Sequence, residues 1–344
     1  MKSITALFCA ALLAAMQSMC VAQPEGSGGP GKPVFTIGQT EPDSLYKALR
    51  TYADLAGKTV LRSSRLQTLP DLGLSGLPPD NATATARIES VLASNGITIL
   101  QDGPHFVRVF PTARSDPAGG PPLRGTELSK LAGQESIPAG TINFPGTDLQ
   151  QVLSIYAELR NRTILRPGPL PPLIVHLRTA CALGKEEAVY AITTVLGLNG
   201  IVVVDDGEHF MQVVPKAQAG RVRPQAPKPR PDAPLLDPRD VPVVGLLRTY
   251  APVPTMDPGK FEADLAQVRR HCGDRLLALY AEMAGKEAIP SPDLGDRFVW
   301  FATQTPLSKE EVLYAIETTL TLNKLEVINE SDSVRLGKLS EPGG

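Results

Sequence analysis

A chain of 344 residues with a formal charge of −2 has room for two or three small domains and no net field to draw it to nucleic acid. Its 33 prolines and 30 glycines gather outside the periodic segments, the distribution expected of small modules on linkers. Beyond the N-terminus no stretch approaches the ~20 apolar residues of a membrane span, so no transmembrane span is expected.

The first residues read as a secretory signal. Lys2 supplies the positive region, Ile4 to Met16 is almost entirely apolar, and Cys20-Val21-Ala22 places small residues where a signal peptidase cuts. Cleavage near Ala22 leaves an exported chain, periplasmic or secreted, with 23–33 as a flexible N-terminus. It also leaves two cysteines, Cys181 and Cys272. Export permits a disulfide between them, and two buried free thiols are the other reading.

From there the sequence repeats itself. Tyr52-Ala53-Asp54-Leu55, Tyr156-Ala157-Glu158-Leu159 and Tyr280-Ala281-Glu282-Met283 each lie 43 residues before an asparagine, namely Asn95, Asn199 and Asn323. Two separate motifs held at one spacing three times mark internal repeats. The modules fall at 34–111, 140–215 and 241–338. The stretches between them, 112–139 and 216–240, are Pro-rich and aperiodic and read as linkers, the second of them basic; 339–344 is a tail.

The middle copy is the clearest. Thr141 to Phe144 alternates as a strand. Thr147 stands as a helix cap with Gln150 as its capping-box partner, and Leu149, Val152, Leu153 and Tyr156 make one apolar face. Asn161 ends that helix, where the other copies have Gly57 and Gly285, residues that tolerate the left-handed backbone. Strands follow at Thr163 to Leu165 and Leu173 to Leu177. A second helix starts near Lys185-Glu186-Glu187, and Ile201 to Val204 with Phe210 to Val214 form a hairpin. The fold class is therefore α+β, three β-α-β-β-α-β-β modules with two helices on small sheets. In the first copy the third strand, Leu72 to Leu77, is broken by glycine. The third copy opens with a strand at Val241 to Leu247 and carries an inserted helix over Pro258 to Arg270. Lys324 stands there in place of Gly96 and Gly200, and since lysine adopts positive φ at a cost, Asn323 is expected to turn the chain.

Gly57-Lys58-Thr59 follows a helix and precedes a strand, the reverse of a phosphate-binding loop. His105 and His209 share a repeat position, but the third copy has Ser333 there. The pairs Glu186/Glu187 and Glu310/Glu311 sit where helix capping and the helix dipole accommodate acids. No nucleophile–base pair, metal-ligand spacing or cofactor motif emerges, so no catalytic, metal or cofactor residue is assigned and the chain is read as non-enzymatic.

The opening strand and helix Ile142 to Leu159, the stretch Phe298-Val299-Trp300-Phe301-Ala302 through Val312, and the hairpin closing at Val213-Val214-Pro215 resemble the small periplasmic N-terminal domains of secretins, the outer-membrane channels of type II secretion. The first such domain is similar also to the short N-terminal domain of TonB-dependent signalling receptors. The long channel domain of secretins is not present. The resemblance implies protein partners in the cell envelope, with secretion-system components among them, and a scaffold role; it implies no catalytic residue. A polymer- or ligand-binding repeat protein and an unrecognised exported enzyme are the alternatives. The candidate protein interface is Phe298, Trp300, His209 and Phe210. Phe298 and Trp300 share a strand face. That face is either an open interaction site or core beneath the inserted helix near Phe261 to Val268.

Overall fold

The computed structural model describes residues 44–66, 72, 76–113, 136–168, 170–244, 272–291, 294 and 299–339. These all belong to one compact unit, Asp43–Gly344. The signal segment, the inserted helix and Phe298 lie outside the described residues.

Within them the chain is mixed α+β. Helix α1 (Ser44–Ala56) buries Leu45, Ala48, Leu49 and Tyr52, the spacing of a helix with one apolar face. Strand β1 (Thr59–Arg62) follows. Asp80 then caps α2 (Asn81–Ser94) by accepting from Thr83 N, and the hairpin β2 (Ile97–Asp102) and β3 (Phe106–Pro111) closes this part. Next come β4 (Ser136–Ile137), β5 (Asn143–Asp148), α3 (Leu149–Arg160), β6 (Thr163–Leu165), β7 (Ile174–Arg178) and β8 (Leu183–Gly184). Helix α4 (Lys185–Leu198) leads into the hairpin β9 (Ile201–Asp206) and β10 (Phe210–Pro215). A 3₁₀ turn over Lys216–Arg221 precedes β11 (Leu235–Leu236). The last part holds α5 (Cys272–Ala284), β12 (Glu287–Ile289), β13 (Leu307–Ser308), α6 (Lys309–Leu322), β14 (Leu325–Asn329) and β15 (Ser333–Lys338).

Three three-stranded sheets have one topology: β1-β3-β2, β6-β10-β9 and β12-β15-β14. In each the last strand is central, antiparallel to its hairpin partner and parallel to the short first strand. Parallel pairing needs a crossover, which α2, α4 and α6 provide. Tyr52, Tyr156 and Tyr280 are each buried on the first helix of their part, and each hydroxyl bonds to a residue of the second helix: Glu89 at 2.6 Å, Thr193 at 2.8 Å and Glu317 at 2.6 Å.

The buried apolar residues form three clusters, but the clusters trespass. Leu61, Phe106 and Phe110, from the first sheet, pack into the cluster of α3 and α4. Leu165 and Phe210, from the second sheet, pack into the cluster of α5 and α6. Strands β3 and β10 are accordingly buried on both faces, from Phe106 to Phe110 and from Phe210 to Val214. In β15 burial alternates over its first residues, with Val334 and Leu336 in and Arg335 out, as in a sheet with one open face.

Several local features differ from the sequence reading. Asp148, not Thr147, caps α3, accepting from Gln150 N and Gln151 N; β5 runs on through Thr147 past a bulge at Gly146, so the helix starts one residue later. Lys324 itself takes the left-handed turn, at φ 61, while Asn323 stays at φ −97. Asn323 is not free to move: its side-chain Nδ2 donates to Thr319 O and its Oδ1 accepts from Gly168 N. Of the opening strand expected in the third part, the described residues 241–244 show one bridge, between Val244 and Phe301, and 245–247 lie outside the described residues. The ends of both linkers are structured too. Ser136–Ile137 pairs with Leu183–Gly184, and Leu235–Leu236 with Leu307–Ser308, each just ahead of a second helix. The segment between β10 and β11 buries Val222, and its Ala226 packs against the third cluster.

Candidate functional site

The chemistry-bearing side chains converge at two junctions. At the first, the sheet β1-β3-β2 meets the N-terminal part of α4; at the second, the sheet β6-β10-β9 meets α6 in the same way.

Each junction begins with a glutamate. Glu187 Oε2 accepts from Gly184 N at 2.8 Å and Glu311 Oε2 accepts from Ser308 N at 2.8 Å, which is the capping role expected of acids at a helix start. The second oxygen does something else. Glu187 Oε1 lies 2.7 Å from His105 Nδ1, and Glu311 Oε1 lies 2.6 Å from His209 Nδ1. Both carboxylates are almost fully buried, so the imidazole completes a group that capping alone leaves half satisfied.

One helical turn on stands a tyrosine. Tyr190 and Phe106 rings are 5.4 Å apart and tilted by 56°; Tyr314 and Phe210 are 5.5 Å apart at 56°. Each phenol donates to a fully buried aspartate, Tyr190 to Asp102 and Tyr314 to Asp206 at 2.6 Å. Burial, then the aspartate bond, pushes both phenols up to about 12, so they remain donors across the physiological range.

The rest of each contact also recurs. Ser64 N donates to Asn199 Oδ1 at 2.7 Å, and Gly168 N to Asn323 Oδ1 at 2.7 Å. Ala180 N donates to Thr59 Oγ1 at 3.1 Å, and Gln304 N to Thr163 Oγ1 at 3.1 Å.

The two junctions differ at the aspartate. Arg108 Nε donates to Asp102 Oδ2 at 2.7 Å, a buried ion pair. At the second junction the place of the arginine is taken by Gln212, whose Nε2 donates to Asp206 Oδ2 at 2.7 Å, and Ala226 N adds a bond to Oδ1 at 3.0 Å.

Of the residues singled out in sequence, Phe298 lies outside the described residues and Phe210 and Trp300 are buried. His209 is spent on Glu311, Phe210 is 1 % exposed and Trp300 is 7 % exposed. What covers the indole is a guanidinium, with the Arg166 carbon 4.2 Å above its ring. Sequence reasoning passed over Tyr190 and Tyr314. Their signal is that each follows its junction glutamate by three residues, which puts both on one helix face.

Cys181 and Cys272 are not joined in a disulfide; burial pushes both thiols up, and they belong to different clusters. Among the described residues no group of three or more His, Cys, Asp or Glu is placed to hold a metal ion, and no helix is long and apolar enough to cross a membrane. No family model, curated protein or solved structure matches the chain.

Proposed function

We propose that the chain is a non-enzymatic, protein-binding scaffold of the cell envelope, made of three copies of one module at 34–111, 140–215 and 241–338 stacked head to tail. One observation carries the reading: the same set of contacts, His to Glu, Phe and Asp to Tyr, backbone N–H to Asn, joins the first part to the second and the second to the third. Head-to-tail contacts of one kind build an elongated array, and such arrays offer long surfaces to partners. The four acids gathered at the junctions are committed to holding the array. Glu187, Glu311, Asp102 and Asp206 are all buried and bonded. The N-terminal signal and the resemblance to secretin periplasmic domains supply the envelope and the secretion apparatus as the setting.

The test is affinity capture of the full chain from an envelope fraction, followed by mass spectrometry. The parallel bait carries Tyr190→Phe and Tyr314→Phe, which loosen both junctions and leave each part's own core in place. The reading expects envelope proteins retained by the wild type and released by the variant. Identical capture by both baits rejects the stacked array as the binding element. Release of soluble fragments from cell-wall polymer by the purified chain would mean an enzyme.

A further inference from the structure

The second junction also holds a small pocket that the contacts above do not use. Gln150, Gln151 and Ser154 of α3 line one side, with Arg166 at the base and Trp300 and Gln304 opposite.

Arg166 is 2 % exposed, and among the described residues every neighbour that bonds to it is neutral. Nη1 donates to the carbonyls of Pro167 and Gly168 at 3.4 and 3.1 Å, and Nη2 donates to Gln150 Oε1 at 2.5 Å. The Trp300 ring beneath it softens the cost of burial but brings no negative charge. Desolvation alone pushes the guanidinium down to about 9, which leaves it cationic at neutral pH. A buried cation normally has an anionic partner, because the desolvation penalty is otherwise uncompensated.

Three of the surrounding groups present donors. The Trp300 indole N–H is buried and has no acceptor among the described residues. Gln304 Oε1 is taken by Ile164 N at 3.0 Å, as Gln150 Oε1 is by Arg166, so both carboxamides are left with their NH₂ groups. With the Gln150 and Gln304 oxygens engaged, this side of the pocket offers a cation, an indole N–H and two amide NH₂ groups, and Gln151 and Ser154 can each donate or accept. The first junction has a counterpart pocket lined by Tyr46, Arg50, Arg62, His176 and Arg178, where Asp54 of the chain already pairs with Arg178 at 3.1 Å.

We propose that the pocket between α3 and Trp300 binds a carboxylate, either a small free acid or the carboxylate of a polypeptide. One guanidinium balances one negative charge, and its planar fork matches two coplanar oxygens; a phosphate dianion would keep an unbalanced charge in a site with one cation. The inference stands apart from the scaffold reading, since it needs no partner protein and its test uses the purified chain.

Trp300 is the only tryptophan in the sequence, so its emission reports the pocket directly. At pH 7 and fixed ionic strength, with chloride as the baseline, the full chain is titrated with acetate, with N-acetyl-trialanine and with the same peptide amidated at its C-terminus. Saturable shifts are expected with the first two and none with the amide. A tripeptide at least about 10-fold tighter than acetate assigns the site to a polypeptide carboxylate, and equal affinity assigns it to a small acid. Gln304→Glu keeps an acceptor for Ile164 N and supplies the absent carboxylate from within, so it should weaken both ligands by about 10-fold or more with the melting midpoint kept. Arg166→Lys keeps the charge but loses the fork and should weaken them by about 10-fold. The proposal is overturned by no saturable change with either carboxylate, by Gln304→Glu binding as the wild type does, or by inorganic phosphate binding more tightly than acetate. Because Gln304→Glu retains the bond that Gln304 makes, a folding failure of the Arg166 variant does not remove the test.

Discussion

The two junctions share their geometry and differ in their charge. In the first, Asp102 is neutralised by Arg108; in the second, Asp206 sits at 0 % exposure with Gln212, Tyr314 and a backbone N–H around it and no cation bonded to it. One shape is thus held once by an ion pair and once by hydrogen bonds alone. The comparison teaches that the contact is specified by where donors point, and that formal charge on the donor is optional.

The sharpest way to break this is to delete the donor on β3 and on β10. Arg108→Met leaves Asp102 buried without its cation and is expected to cost about 3–5 kcal/mol in urea unfolding, whereas Gln212→Met removes one bond to a carboxylate and is expected to cost about 1.5–3 kcal/mol. Arg108→Gln, which copies the second junction, should fall between them. Equal costs for the two methionine variants would show that charge carries nothing here.

Removing one hydroxyl is the next largest change. Tyr190→Phe and Tyr314→Phe each lose a bond to a buried carboxylate, worth about 1.5–3 kcal/mol. Tyr314→Phe should lie at the upper end, because Asp206 has no arginine to fall back on. The reverse order would sink the claim that Asp206 depends on neutral donors.

The histidines are smaller. The His105 and His209 side chains are 38 % and 25 % exposed while their glutamates are buried, so removing an imidazole frees a carboxylate oxygen that water can then reach, and alanine at either place is expected to cost about 1 kcal/mol in urea unfolding.

Acid should separate the junctions as well. Desolvation, with Arg62 adding to it, holds His176 below its ordinary value of 6.5, whereas Trp300 at the matching place in the other pocket does not titrate. The unfolded chain then takes up a proton that the folded chain resists. Stability is unaffected above about pH 7 and declines as pH falls below 6.5. His176→Gln should flatten the stability profile between about pH 7 and 5. An unchanged slope would show that His176 contributes nothing to it.

Much of the fold was legible because it is local. The β6 boundaries at Thr163 and Leu165, the helix from Lys185 and the left-handed Asn161 follow from alternation, capping residues and backbone sterics over a few positions. The exceptions are informative. Asn323 was expected to turn the chain, but like Asn95 and Asn199 it keeps negative φ, its side chain bonded to the carbonyl four residues back, and Lys324 takes the left-handed place that Gly96 and Gly200 take in the other copies. Glu187 and Glu311 were explained by capping, and capping does occupy one oxygen of each; the other oxygen answers to a histidine that local pattern cannot place. The continuous apolar runs Phe106-Val107 and Val109-Phe110, against the alternation in Ser333 to Leu336, held a hint that two sheets are covered on both faces and one is not.

By itself, then, the sequence determined the elements and their recurrence at a fixed spacing, since hydrophobic period, helix caps and turn residues act within one or two turns of chain. Tertiary structure alone decided that Phe106 and Phe210 are shared between neighbouring cores, that the two junctions tolerate an ion pair or its neutral substitute, and that Arg166 is buried against Trp300 with no acid bonded to it among the described residues. Those outcomes depend on groups more than 80 residues apart meeting in space, where burial removes water and makes each donor and acceptor answerable to its neighbour.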